Sequence, residues 1–180
     1  MKKSAILSLL AVVFSACAQP SGKPVPDNSP SGQVISKPGN PYYSNTDKTK
    51  LHVSDAEWKR VLPEEVYLVM RKAETERPFT GKYWDYDGKG TYYCASCGNL
   101  LFRSTAKFSS ECGWPSFFQQ DNPKSTVYRA DNSLGMERTE VLCARCGGHL
   151  GHIFDDGPPP TGKRYCMNSI ALDFIPDKKP

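Results

Sequence analysis

Cys94-Ala95-Ser96-Cys97-Gly98 and Cys143-Ala144-Arg145-Cys146-Gly147-Gly148 are two versions of one short pattern, and the fold turns on how they are read. In each, two thiols stand two residues apart, and the following glycine relieves crowding in a tight turn. Two such pairs complete a closed tetrahedral set of four thiolates, the donor set of a structural zinc ion. Residues 98–142 lie between the pairs, far more than a simple zinc ribbon encloses. A substantial part of one domain must therefore be closed by the metal, whose binding energy becomes folding energy. The competing reading is a pair of disulfides or redox CxxC motifs. It suffers because neither pair sits in the βαβ setting of a thioredoxin-like site.

Upstream of the first pair the periodicity is helical. Ser54-x-x-Glu57 is a capping-box pattern, opening a short helix that holds Trp58 and ends near Leu62. Pro63 with Glu64 and Glu65 suits the first turn of a second helix, with the apolar stripe Val66, Val69, Met70 and Ala73 facing a core. Pro78 lies beyond its end. After residue 79 the helical period disappears. Strands are expected over 82–85 and 91–94, flanking Asp87-Gly88-Lys89-Gly90, and then over 100–102, 127–130, 138–143 and 165–174. Two small helices followed by antiparallel β-structure make one domain over residues 51–180.

Ahead of that domain the composition differs. Residues 1–18 read as an export signal: Lys2 and Lys3, an apolar stretch from Ala5 to Phe14, then Ser15-Ala16-Cys17. The apolar stretch is too short to span a bilayer. Two endings compete. Phe14-Ser15-Ala16-Cys17 resembles a lipobox, apart from Phe14 in place of the usual Leu, and would make Cys17 a lipidated N-terminus. Ala16-Cys17-Ala18 instead offers an ordinary cleavage site. Residues 19–50, rich in Pro, Ser, Gly, Asn and Lys, read as a flexible linker without enough apolar surface to offset its ordering entropy. The whole chain is 38% apolar and 23% charged, which suits one soluble globular domain. Its net charge of +4 falls to +2 without Lys2 and Lys3, too little to argue for nucleic acid.

Four of the seven cysteines are thus assigned to metal and Cys17 to the N-terminus, which leaves Cys112 and Cys166. On a strand, Arg164, Cys166 and Asn168 share one face. A cation two residues away favours the thiolate, the nucleophilic form, and Asn168 can orient a bound group. The alternative is a buried structural cysteine. Cys112 opens Cys112-Gly113-Trp114-Pro115, a stiff turn that presents an indole suited to methyl groups beside a polarised sulfur. Trp114 as core filler is the plainer reading. His149 and His152 stand three residues apart in a Gly-rich segment. Metal ligation is a rival, but four cysteines already fill one site, and acid/base and hydrogen-bonding roles fit better. His52 reads as a surface residue.

Cys112-Gly113-Trp114-Pro115-Ser116-Phe117, His149-Leu150-Gly151-His152 with Phe154, Asp156 and Gly157, and Arg164-Tyr165-Cys166 with Asn168 resemble the three signature motifs of type B methionine sulfoxide reductases. The two CxxC pairs resemble those of the zinc-containing branch. The match runs from about Val53 to Pro176; Glu111 departs from the Gly found in many members. The resemblance implies a mainly β fold of two antiparallel sheets, short N-terminal helices and one structural zinc. It implies reduction of the R epimer of methionine sulfoxide in proteins and peptides. Carried over by position, Cys166 would attack the sulfoxide sulfur and Trp114 would hold the methyl. His149, His152, Asp156, Arg164 and Asn168 would line the polar side. The chemistry also needs a proton for the departing oxygen, which a histidine, His152 foremost, supplies or relays, directly or through Asp156 or a water. Cys112 matches the resolving position, implying a disulfide with Cys166 that a thioredoxin-like donor reopens. An exported domain needs that donor outside the cytoplasm; membrane contact would come only through lipid on Cys17. Two rival functions remain in view: a non-enzymatic zinc binding module, which has no need of the surplus thiols, and a general thiol-disulfide oxidoreductase, which would act without any sulfoxide.

Overall fold

The computed structural model describes residues 35–178, so the expected signal segment, Cys17 and residues 19–34 of the expected linker lie outside the described residues. The first helix, α1 (Asp55–Val61), starts where its chemistry dictates. Ser54 Oγ accepts from Glu57 N at 3.2 Å, acids stand in the first turn and Lys59 and Arg60 in the last. The second, α2 (Glu64–Lys72), begins after Pro63 and is closed by Ala73 in the left-handed region, at φ 58°. Of its stripe, Val69 and Met70 are buried and Val66 is half-buried. Ala73, at the cap, is exposed, and Tyr67 takes part in the core instead. No helix among the described residues is long and apolar enough to cross a membrane.

Among the described residues nine strands follow, in two antiparallel sheets, as the resemblance implied. The smaller sheet has β1 (Gly90–Cys94) between β2 (Leu100–Arg103) and β9 (Leu172–Pro176). The larger runs β3 (Lys107–Phe108), β4 (Ser116–Phe117), β8 (Arg164–Met167), β7 (His149–Phe154), β6 (Arg138–Cys143), β5 (Thr126–Asp131). Two expectations fail. Residues 82–85 form turns, because Tyr83 turns its backbone N–H to the Ser169 hydroxyl rather than to a ladder partner. Residues 165–174 are not one strand: a 3₁₀ turn, Ser169–Ala171, carries the chain from the larger sheet to the smaller.

Aromatic rings join the sheets. Phe102 of β2 stacks on Phe117 of β4 at 4.3 Å, and Tyr92 of β1 meets the same ring edge-on at 5.0 Å. All three are fully buried, and the two phenylalanines contribute about 2–3 kcal/mol each by area.

Residues 35–50, which composition assigns to the linker, lie against the domain. The buried Arg145 gathers them: its guanidinium donates to the carbonyls of Tyr42, Thr49 and Cys97 and pairs with Asp47 at 2.8 Å. Asn40 donates to Ser96 O and Ser44 N to Cys97 O. Two aromatic side chains add to this, Tyr43 buried and Tyr42 edge-on to Trp58 at 5.3 Å; composition misses them because they are isolated among polar residues.

Candidate active site

Cys94 and Cys97 sit at the β1–β2 hairpin, and Cys143 and Cys146 at the β6–β7 hairpin, one pair from each sheet. All four are buried and their sulfurs lie within 4.8 Å of one another. Cys94 to Cys146 is 3.7 Å and Cys97 to Cys143 is 3.6 Å. A tetrahedral zinc with Zn–S bonds near 2.3 Å needs sulfurs about 3.8 Å apart, so the cluster fits zinc and leaves no open position. Gly98, at φ +76°, has no room for a Cβ, which would lie 2.8 Å from the Ser44 backbone.

The two surplus thiols meet away from that cluster. Cys166 of β8 stands opposite Ser116 of β4 and His152 of β7. Cys112, in the turn before β4, has its Sγ 3.5 Å from that of Cys166. Ser110 Oγ and Ser116 Oγ lie 3.0 and 3.4 Å from the Cys112 sulfur. The Cys166 bond first, then Ser110 and Ser116, bring Cys112 down to about 4 against the effect of partial burial. Cys166 moves the other way: the Cys112 bond and burial push it up, and Arg164 pulls it down without prevailing. Arg164 thus acts in the direction read from the sequence, but the neighbouring thiol outweighs it. The two sulfurs thus share one proton, with Cys112 drawn toward the thiolate and Cys166 toward the thiol.

Arg164 makes two parallel bonds to Asp156, both 2.8 Å, and lies 4.5 Å over the Phe154 ring. Trp114 is half-buried, and its Nε1 donates to Glu76 O at 3.1 Å. Asn168 directly follows β8, with its backbone still extended. Its amide is committed at both ends, Nδ2 to Leu150 O at 3.1 Å and Oδ1 from Glu76 N at 3.0 Å. Asn168 therefore ties the segment after α2 to β7. Glu76, unremarked in the sequence, completes this corner by accepting from the backbone N–H groups of Ser169 and Ile170.

The histidines come together through a strand irregularity. On a regular strand, residues three apart face opposite sides. The β6–β7 register shifts between Val141 and Leu142, and the His149 and His152 rings end 5.5 Å apart. Gly151 permits the close approach beside it: at φ +154°, its Cβ would lie 2.1 Å from Cys166 O. Each imidazole has a carboxylate partner that sequence reasoning missed. His149 Nδ1 is 2.7 Å from Glu140 Oε1, and His152 Nε2 is 2.8 Å from Asp131 Oδ2. Arg129 and Arg138 hold those carboxylates in turn, both at 2.7 Å. The alternating charges Arg129 and Asp131 on β5, and Arg138 and Glu140 on β6, were the available signal. His52 is exposed.

A thiol pair within reach of disulfide formation, beside two carboxylate-held histidines on a β fold, defines a thiol-dependent oxidoreductase. Residues 62–176 match the SelR domain. The chain belongs to that family, the type B peptide methionine sulfoxide reductases. It is 52% identical over 132 residues to peptide methionine sulfoxide reductase MsrB of Thiobacillus denitrificans, covering 73% of this chain and 98% of the relative. To the protein of the same name in Agrobacterium fabrum it is 50% identical over 133 residues, 74% of this chain and 98% of the relative. The Leifsonia xyli protein of that name is 55% identical over 125 residues, 69% and 90%.

Proposed function

We propose that this chain reduces the R epimer of methionine sulfoxide in proteins and peptides, with Cys166 as nucleophile and Cys112 as resolving thiol. The observation that carries the reading is the 3.5 Å approach of the two sulfurs, supported by relatives that bear the name of the activity. Cys166 attacks the sulfoxide sulfur as a thiolate, once the proton that the two sulfurs share across 3.5 Å lies on Cys112. Arg164 stabilises the charge on Cys166 as it forms. The sulfoxide oxygen is protonated, with His152 as donor, and passes to Cys166 as a sulfenic acid while methionine departs. Cys112 then attacks the sulfenic sulfur; a disulfide forms and water leaves. An external thioredoxin-like dithiol reopens the disulfide by exchange and is itself oxidised. Trp114, fixed by Glu76, receives the methyl group.

Cys94, Cys97, Cys143 and Cys146 would hold one zinc ion, which supplies a cross-link between the two sheets. The export reading of residues 1–18 puts the domain outside the bacterial cytoplasm, soluble or held by lipid on Cys17. Mass spectrometry of the mature N-terminus separates those two.

The test is turnover on separately prepared R and S sulfoxide peptides with dithiothreitol as reductant. Consumption of R alone is expected. Consumption of S, or reduction of insulin disulfides with no sulfoxide turnover, would overturn the reading.

A further inference from the structure

Five strands of the larger sheet place one residue each in a single cross-strand row. Ser116 stands opposite Cys166, Cys166 opposite His152, His152 opposite Glu140, and Glu140 opposite Arg129. Directly paired residues project to the same face, so a polar line runs from the thiol pair to the edge strand β5. Glu140, one strand in from that edge, is buried, 4% exposed. One carboxylate oxygen meets His149 Nδ1 at 2.7 Å and the other Arg129 Nε at 2.7 Å.

That geometry constrains His149. A carboxylate accepts only, so Nδ1 carries the hydrogen. Burial lowers the basicity of His149, outweighing the opposing pull of Glu140, which favours a neutral ring. Nε2 is then a bare lone pair, and it is buried with no partner. In solution a neutral imidazole prefers its hydrogen on Nε2, so this tautomer is imposed by the fold.

We propose that Glu140, braced by Arg129, is a positioning residue for the reaction: it holds His149 with Nδ1 protonated and Nε2 bare, and so fixes the ring against which His152, 5.5 Å away, is set. This rests on the proposed sulfoxide chemistry. The pair gives the two histidines different parts, because His152 bonds its carboxylate through Nε2 and His149 through Nδ1. Without Glu140, nothing would hold the hydrogen on Nδ1, and the His149 ring would be free to turn beside His152. A buried acid that merely steadied β5 against β6 would affect stability and leave the ring's tautomer alone.

The tautomer is read directly by long-range nitrogen–proton NMR of the reduced, metal-loaded protein, and the chemistry by single turnover on an R-sulfoxide peptide. In the wild type the His149 signals should show a protonated Nδ1 and a bare Nε2. In Glu140→Ala the hydrogen should move to Nε2 and the turnover rate should fall at least tenfold, with KM in steady state changed less than twofold. Glu140→Gln, which is close in shape and can still accept from Nδ1, should keep the wild-type tautomer and recover most of the rate. A wild-type ring protonated on Nε2 would overturn the proposal. So would a shifted tautomer with an unchanged rate, or a Glu140→Ala ring that keeps its hydrogen on Nδ1. Wild-type protein inert toward both sulfoxide epimers would instead refute the proposed function, while the NMR result would still decide the tautomer.

Discussion

The sulfur of Cys112 lies 3.5 Å from that of Cys166, and the residues carrying them are joined to the same strand pair, β4 and β8. A disulfide needs about 2.05 Å between sulfurs, so closing the bond takes a shift of about 1.5 Å. No large rearrangement has to precede it. Cys112→Ser should therefore reduce about one equivalent of sulfoxide per chain and then stop when a dithiol protein is the only reductant. Quenched peptide mapping checks this; undiminished recycling would remove Cys112 from the resolving role.

The same pair sets a pH dependence. Cys112 is held at about 4, below the ordinary thiol value, first by the bond to Cys166. The sign follows from linkage: the stabilisation is absent below about 4, grows as pH rises toward the ordinary thiol value, and declines again above it because Cys166 is shifted the other way. Iodoacetamide trapping of Cys112 in the reduced protein should persist to about pH 5. In Cys166→Ala, which removes the largest cause, the midpoint should rise by more than one pH unit. A midpoint that stays in place would contradict the shared proton.

Much of this arrangement was legible beforehand, and what was not has identifiable causes. The four-plus-two division of the cysteines follows from spacing, because CxxC followed by Gly is a local geometry that needs no tertiary knowledge. The strands around 91–94, 100–102, 127–130 and 138–143 show in β-branched and aromatic runs. By contrast, β7 carries Gly151 in its middle, so its alternation is broken and its residues read only as a Gly-rich segment. Glu76 could not be found, since its partners Asn168, Ser169 and Ile170 lie more than ninety residues away. Glu140 and Asp131 needed the pairing of three strands before their histidines came within reach.

Gly151 tests the contact between β7 and β8. A methyl group at this position would strike the Cys166 carbonyl oxygen at 2.1 Å, and backbone cannot swing aside as a side chain can. Gly151→Ala should lose about 2–4 kcal/mol in urea unfolding. Sulfoxide turnover should fall as well, because the strand bearing Cys166 must move. Wild-type stability would show that the strands are not so closely apposed.

Arg145 joins the N-terminal segment to both cysteine pairs. Its removal leaves the carbonyls of Tyr42, Thr49 and Cys97 without their charged donor. Arg145→Ala should cost at least about 3 kcal/mol and expose the cluster, so that zinc passes to a colorimetric chelator several-fold faster. Unchanged release kinetics would mean that the segment does not protect the cluster.

The most direct measurement is the stoichiometry of a single turnover on an R-sulfoxide peptide without reductant. Methionine and the Cys112–Cys166 disulfide should appear together, one of each per chain, and Cys166→Ser should yield neither. Methionine formed by Cys166→Ser, or formed by the wild type while both thiols stay free, would contradict nucleophilic attack by Cys166.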